Sequence, residues 1–139
     1  MSATEATTHQ IPVTVLTGYL GHPDQAAPIA ELVKAVKRHT PDAPYVCDPV
    51  MGDRTDETDG SLYVPQATAS AIRDTLVPLA DIVTPNCFEL SWLTGRKVTS
   101  ELQAPSAART LGAERVLVTS APALRRNAIA NLLAGPRGA

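Results

Sequence analysis

Short apolar runs alternate along this chain with longer segments whose apolar residues recur at helical spacing. The apolar runs, which are typical of buried strands, are Ile11–Leu16, Tyr45–Cys47, Asp81–Thr84 and Arg115–Thr119. The segments between them predict helices over Pro23–Arg38, Pro65–Leu76, Asn86–Thr94 and Pro105–Leu111. This alternation predicts an α/β fold, a Rossmann-like layer sandwich with a parallel sheet and right-handed crossovers.

Three segments depart from this pattern. Residues 1–10 are polar and are expected to be disordered, which leaves residues 11–139 as one folded unit. The segment Gly52–Gly60 contains three Asp, one Glu, one Arg and two Gly but no apolar residue, which predicts a mobile loop. The pattern of Ala128–Leu133 fits a strand or a helix and does not decide between them.

Composition excludes several classes of protein. The 139 residues carry a net charge of −2 with scattered basic residues, so no electrostatic feature favours nucleic acid or a membrane surface. The pair Arg125-Arg126 is interpreted as solvated surface. No apolar run approaches the roughly 20 residues that a membrane span needs. Cys47 and Cys87 are interpreted as small apolar core residues, and a cytoplasmic protein with reduced thiols is expected.

Polar residues follow several predicted strands, at the sheet edge where ligands bind in parallel α/β proteins. Asp48 and Asp53 are either a magnesium site beside a polyphosphate or an ordinary turn and a solvated loop charge. Thr119 and Ser120 could donate to phosphate oxygens, and simple turn chemistry explains them equally well.

The pair Asn86 and Glu89 and the single residue Tyr19 also allow two interpretations each. Asn86 and Glu89 have the spacing of a helix capping box, and Glu89 on the first turn could in addition order the water molecules around a metal ion. Tyr19, just after the first strand, could stack on a flat ligand or close the rim of the core. Trp92 is expected to lie in the core.

The order of several short sequence motifs along the chain is more specific for a protein family than any one motif. Tyr45–Asp53, Gly60–Pro65, Val77–Asn86 and Leu93–Lys97 closely resemble the middle of pyridoxal kinases, in the ribokinase-like superfamily. Thr17–Gly21 and Val116–Ser120 extend this resemblance over about residues 15–121. Hydroxymethylpyrimidine kinases share Asp-Pro-Val-Met and Thr-Pro-Asn, but Gly52-Asp53 and the phrase Gly-Ser-Leu-Tyr-Val-Pro favour the pyridoxal branch.

The resemblance implies a reaction and a set of binding residues. The reaction is transfer of the ATP γ-phosphoryl group to the 5′-hydroxymethyl of pyridoxal, pyridoxine or pyridoxamine, which is vitamin B6 salvage to pyridoxal 5′-phosphate. Mg²⁺ would accompany ATP and K⁺ would be a second cation, with Asp48 and Glu89 at the metal and Tyr19 on the pyridine ring. A homodimer is also implied. The residues implied in ATP binding are Asp48, Asp53, Tyr63, Thr84, Asn86, Glu89, Thr119 and Ser120.

The sequence also departs from the family it resembles. It contains no Gly-Thr-Gly-Asp motif, whose Asp accepts the hydroxyl proton in this superfamily. The N-terminal strands that carry much of the vitamin pocket are also not recognisable. We therefore expect a partial kinase domain that is inactive alone. The alternatives are a non-catalytic module that binds nucleotide or docks onto a full-length kinase, and a gene-model or splice fragment without function.

Overall fold

The structure is a computed structural model that describes residues 11–55, 58–122 and 129–135. Five strands of these residues form a central sheet in the order β1-β2-β5-β6-β7, and β3 and β4 form a separate pair. The sheet is parallel except for the antiparallel pair β6–β7. The predicted α/β fold is confirmed. The strands are β1 (Val15–Thr17), β2 (Tyr45–Cys47), β3 (Gly52–Thr55), β4 (Thr58–Leu62), β5 (Ile82–Val83), β6 (Arg115–Pro122) and β7 (Ile129–Ala134).

Four α-helices connect these strands, close to where the sequence predicts them. They are α1 (Ala26–His39), α2 (Gln66–Ala71), α3 (Cys87–Thr94) and α4 (Ala104–Arg109). A 3₁₀ turn at Pro23–Gln25 precedes α1, so the predicted helix begins as a tighter turn. The helix predicted over Pro65–Leu76 is α-helical only in its first half and continues as a π-helical turn over Ile72–Leu76.

All four helices pack against one face of the sheet. The parallel strands follow one another across the sheet in chain order. Because their connections are right-handed, each connecting helix then lies on the same side of the sheet. Helix residues such as Val33 and Leu90 are fully buried there. The strand residues buried on this face are Tyr45, Cys47, Val83, Val116, Val118 and Ala134.

The opposite face carries an apolar row without a helix over it among the described residues. Successive strand residues point to opposite faces. The pairing register places Leu16, Val46 and Ile82 level with one another and Leu117 level with Leu133, while Ile82 pairs with Arg115, two residues before Leu117 on the same face. Leu16 and Leu133 in this row are 69% and 50% exposed. We call this surface the open face, and its apolar residues are Leu16, Val46, Ile82, Leu117 and Leu133.

The loop predicted over Gly52–Gly60 is wrong for the residues that the structure describes, and the mobility predicted for this segment stays a prediction. Gly52 pairs with Leu62 and Asp53 with Ser61, so β3 and β4 form an antiparallel hairpin. The ring of Phe88 lies against the hairpin glycines, because a Cβ atom on Gly60 would be 2.5 Å from its Cδ2. Contacts with α3 thus order a segment that has no apolar residue of its own.

Several other predictions can be compared with the structure. The first strand begins at Val15 rather than Ile11, and the segment near Ala128–Leu133 is a strand. Cys47 and Cys87 are buried free thiols, as expected, and burial raises the pKa of both. Trp92 is half-buried and packs against the core. The predictions for residues 1–10 and for Arg125-Arg126 lie outside the described residues.

Candidate phosphate and cation site

The strand ends bring the predicted polar residues to one edge of the sheet. The backbone N–H of Asp48 donates to the carbonyl of Thr17 at 2.9 Å, and the N–H of Thr84 donates to that of Cys47 at 3.1 Å. The N–H of Thr119 donates to the carbonyl of Pro85 at 2.9 Å. Asp48 and Thr84 therefore follow neighbouring parallel strands at their carboxyl ends, as the sequence predicts. Thr119 lies level with Asn86 beside them, but inside β6, which continues to Pro122 rather than ending at Thr119 as predicted. We call Asp48, Thr84 and Thr119 the strand-end row.

Asn86 and Glu89 form the predicted capping box at the start of α3. The N–H of Glu89 donates to Asn86 Oδ1 at 2.7 Å, and the N–H of Asn86 donates to Glu89 Oε1 at 3.0 Å. Two of the free N–H groups at this helix end are satisfied in this way. The local interpretation of this pair is therefore correct, and it places Glu89 beside the strand-end row.

Glu89 also binds the base of the hairpin, which the sequence does not predict. Its Oε2 accepts a hydrogen bond from the N–H of Met51 at 2.9 Å and a longer one from that of Gly52 at 3.4 Å. Asn86 Nδ2 donates to the carbonyl of Gly52 at 2.9 Å. The capping pair thus fixes the point where the hairpin leaves the strand-end row.

The carboxylates in this region influence one another. Burial raises the pKa of Glu89, its three backbone N–H donors oppose that change, and the charge of Asp48 adds to it. Burial also raises the pKa of Tyr63, and the charges of Glu89, Asp53 and Asp48 raise it further. Negative charge is therefore concentrated around the strand ends and the end of the hairpin, where it would attract a cation.

The donor set fits a hydrated cation better than a cation held by protein atoms alone. Both Glu89 oxygens already accept backbone N–H groups, so Glu89 acts there mainly through its charge. Asp48 is half-buried at the strand end. The described residues contain no cluster of three His, Cys, Asp or Glu side chains suited to a metal. Mg²⁺ keeps several water ligands beside phosphates, which suits a site with one available carboxylate.

The remaining predicted residues lie around this row. Asp53 is exposed, and its Oδ1 accepts from the N–H of Arg54 at 2.7 Å. Tyr63 and Tyr19 are 61% and 70% exposed. Ser120 has a φ of 54°, a left-handed conformation that is uncommon outside glycine, at an irregularity in β6.

None of the helices that the structure describes is long and apolar enough to cross a membrane.

The sequence does not predict a cavity that lies between the hairpin and α3 and is lined by basic and aromatic side chains. Its residues come from segments that are distant in the sequence, so no local motif marks it.

Comparison with known proteins gives consistent matches. A family model described as phosphomethylpyrimidine kinase matches residues 3–137. Pyridoxal kinase of Sus scrofa is 42% identical over 109 residues, which are 76% of this chain and 34% of that protein. The crystal structure of pyridoxal kinase from Entamoeba histolytica has a TM-score of 0.78 at 31% identity, covering 89% of this chain and 43% of that one.

A further solved structure, pyridoxal kinase from Leishmania donovani in complex with ADP and pyridoxamine, has a TM-score of 0.67 at 35% identity. The matched region covers 78% of this chain and 38% of the Leishmania chain. The chain therefore spans well under half the length of these relatives. The fold is that of the ribokinase-like α/β proteins, with polar groups at the carboxyl edge of the sheet.

Within that class, the chain belongs to the phosphomethylpyrimidine kinase family. The resemblance to pyridoxal kinases expected from the sequence is confirmed.

Proposed function

We propose that this chain provides the phosphate- and cation-binding edge of an ATP-dependent vitamin B6 kinase. The reaction would transfer the γ-phosphoryl group to the 5′-hydroxymethyl of pyridoxal, pyridoxine or pyridoxamine. The observation that carries the proposal is the strand-end row of Asp48, Thr84 and Thr119, with Asn86 and Glu89 beside it. The Leishmania relative, whose structure contains ADP and pyridoxamine, supports this choice of ligands.

Phosphoryl transfer depends mostly on positioning and on neutralising phosphate charge. In this proposal the Thr84 and Thr119 hydroxyl groups donate to phosphate oxygens. Asp48 would hold Mg²⁺ through water, and the buried charge of Glu89 would favour the ion from nearby. Mg²⁺ would neutralise charge on the phosphates, and K⁺, implied by the resemblance, would occupy the region of Asp48.

The hairpin would cover the nucleotide. Asp53 and Tyr63 both lie near its base, since Gly52 pairs with Leu62 and Asp53 with Ser61. Burial raises the pKa of Tyr63, and the nearby charges of Glu89, Asp53 and Asp48 add to this effect. Asn86 and Glu89 fix the base of the hairpin, so a movement of the hairpin would turn about Met51 and Gly52. Ser120 would reach toward ATP, and Tyr19 toward the pyridine ring.

The group that accepts the hydroxyl proton is not supplied by this sequence, which has no Gly-Thr-Gly-Asp motif. We therefore expect the 139-residue chain to bind Mg·ATP without turning it over. A non-catalytic nucleotide-binding module, or a homodimer that brings two such chains together, is the second candidate.

Isothermal titration with Mg·ATP tests the binding proposal. Asp48 and Asp42 lie beyond opposite ends of β2, which makes Asp42→Asn a matched control for Asp48→Asn. We expect Asp48→Asn to weaken Mg·ATP binding about tenfold or more, equivalent to about 1.4 kcal/mol, and Asp42→Asn to leave it unchanged. Equal effects of both variants, or no binding by the folded chain, would contradict the proposed site.

An assay for pyridoxal phosphate formation tests the expectation about turnover separately. The pure chain should form none with ATP and pyridoxal, even at high protein concentration. Steady product formation that depends on both substrates would show that another residue of this chain accepts the proton.

A further inference from the structure

The cavity between the hairpin and α3 is separate from the strand-end row. Its volume is about 480 Å³, within the range of small-molecule sites. It shares no lining residue with the strand-end row. Its walls are formed by Arg54, Gly60, Phe88, Ser91, Trp92, Gly95, Arg96, Lys97 and Thr99.

The charged residues among these are all basic. Arg54 comes from β3, whereas Arg96 and Lys97 follow the end of α3. Three cations at one cavity repel one another unless an anion lies between them, and a low-dielectric wall strengthens both effects. The charge of the cavity therefore favours an anionic ligand.

Arg54 is incompletely paired in this cavity. Its Nη2 donates to the carbonyl of Val98 at 2.9 Å, which holds the side chain across the gap between the hairpin and α3. Its Nε is buried and has no hydrogen-bond partner. A buried guanidinium N–H without an acceptor costs free energy, but this atom has almost no accessible surface, so a ligand in the cavity would meet the terminal nitrogens of Arg54 instead.

Arg96 retains donors as well. One of its terminal nitrogens, Nη1, donates to Ser106 Oγ at 3.1 Å, which positions the side chain but uses one of its five N–H groups. Lys97 beside it is exposed. Donors from two separate segments thus converge on one space.

The apolar part of the wall is aromatic. Phe88 and Trp92 lie one helical turn apart on α3, and both are half-buried. The Arg73 guanidinium lies 5.0 Å from the centre of the Trp92 ring, which helps to hold that ring in place. A flat ring could pack against such a wall while its charged group meets the basic residues.

We propose that this cavity binds a small aromatic anion, with an aryl phosphate as the representative class. The ring contacts Phe88 and Trp92, and the phosphate accepts hydrogen bonds from Arg54, Arg96 and Lys97. Such a ligand would connect the hairpin to the segment after α3 and restrain the hairpin. The site is independent of the proposed kinase function, because it needs neither Mg²⁺ nor ATP.

Tryptophan fluorescence gives a direct test, since Trp92 is the only tryptophan in the chain. Phenyl phosphate is titrated without Mg²⁺ or ATP, and benzyl alcohol serves as the neutral ring. We expect a saturable change of Trp92 emission with phenyl phosphate, weakened by added salt, and much weaker binding of benzyl alcohol.

The double variant Arg96→Glu/Lys97→Glu should weaken phenyl phosphate binding about tenfold or more, because it reverses two charges at the cavity. Arg38→Glu/Arg109→Glu makes the same change of charge at exposed positions elsewhere and should leave binding unchanged. Circular dichroism establishes that both variants are folded. Absence of saturation, equal binding of the neutral ring, or equal effects of the two double variants would each overturn the proposal.

Discussion

Glu89 connects the local order of a helix with the geometry of the site. Its two oxygens accept three backbone N–H groups from two separate segments, which offsets the cost of burying the carboxylate. Burial nevertheless raises its pKa, so the folded protein holds this proton more tightly than the unfolded chain. The contribution of Glu89 to stability therefore falls as pH rises from the ordinary carboxyl range through the raised pKa.

Gly52 is a position where the hairpin tolerates no side chain. A Cβ atom there would clash with the carbonyl oxygen of Ser61 and lie 2.5 Å from Phe88 Cε1. Because one of these neighbours is backbone, Gly52→Ala should destabilise the chain by about 1–3 kcal/mol. Gly18→Ala, where nothing lies within 4 Å, is the matched control. Urea unfolding of both variants measures the difference, and equal stabilities would contradict this packing.

The sequence predicts residue roles where the cause is local. Asn86 and Glu89 are three positions apart, and Gly95 ends α3 with a φ of 69°, so adjacent residues determine both ends of this helix. The bonds from Glu89 to Met51 and Gly52 connect residues 38 and 37 positions apart, and no spacing rule indicates them. The positions of Asp48 and Thr84 could be predicted from the parallel topology alone, because the carboxyl ends of parallel strands lie at the same edge of the sheet. That β6 continues beyond Thr119 depends on its pairing with β7, which no local pattern indicates.

At the scale of elements, the hairpin is a structure that the local hydrophobic pattern does not predict. Its strands have neither alternating hydrophobicity nor an apolar residue before Leu62, so nothing local favours β structure. Order comes from Phe88 against the glycines, from Arg54 on the carbonyl of Val98, and from Glu89 at the base. All three contacts exist only after α3 has packed beside β3.

A junction of three elements lies at the opposite edge of the sheet. Asp81, just before β5, accepts hydrogen bonds from Lys37 Nζ of α1 at 2.6 Å and from the N–H of Tyr45 in β2 at 2.7 Å. Burial raises the pKa of Asp81, but these two donors outweigh burial and leave the pKa below its ordinary value. The junction therefore stabilises the fold above the ordinary carboxyl pKa, and this contribution is lost as pH falls through the lowered one.

Lys37→Met should lower the free energy of unfolding by about 1 kcal/mol at neutral pH. The effect is modest because solvent partly screens the Lys37–Asp81 pair. The difference from the unmodified chain should shrink as pH falls through the lowered pKa of Asp81. Lys34→Met removes an exposed pair with Glu31 on the same helix and should change stability little. Urea unfolding across a pH series measures both, and a difference for Lys37→Met that does not vary with pH would rule out the charged pair as its cause.

At the scale of the whole molecule, the helices found in the described ranges cover one side of the sheet and leave the other uncovered. Parallel sheets are usually covered on both faces, because their strands are apolar on both sides. Val46, Ile82 and Leu117 are partly buried in the open face, while Leu16 and Leu133 near its two edges are largely exposed. An apolar surface of this kind favours association with other chains.

Leu16→Lys/Leu133→Lys should reduce self-association, because it places a charge near both edges of the open face. Leu32→Lys/Leu102→Lys makes the same change at residues that are 58% and 71% exposed but lie outside the sheet. Sedimentation velocity over a range of protein concentrations should show less association for the first variant only. Equal behaviour of the two variants would indicate that the open face is not where chains associate.

The order of strands in the central sheet has a consequence for how the chain reaches its fold. Along β1, β2, β5, β6 and β7 the neighbours in space are also the next sheet strands in sequence, apart from the excursion into the hairpin. Among the strands that the structure describes, no later one inserts between two earlier ones. The sheet can therefore grow at a single edge as the ribosome releases the polypeptide, and each new strand finds its template already in place.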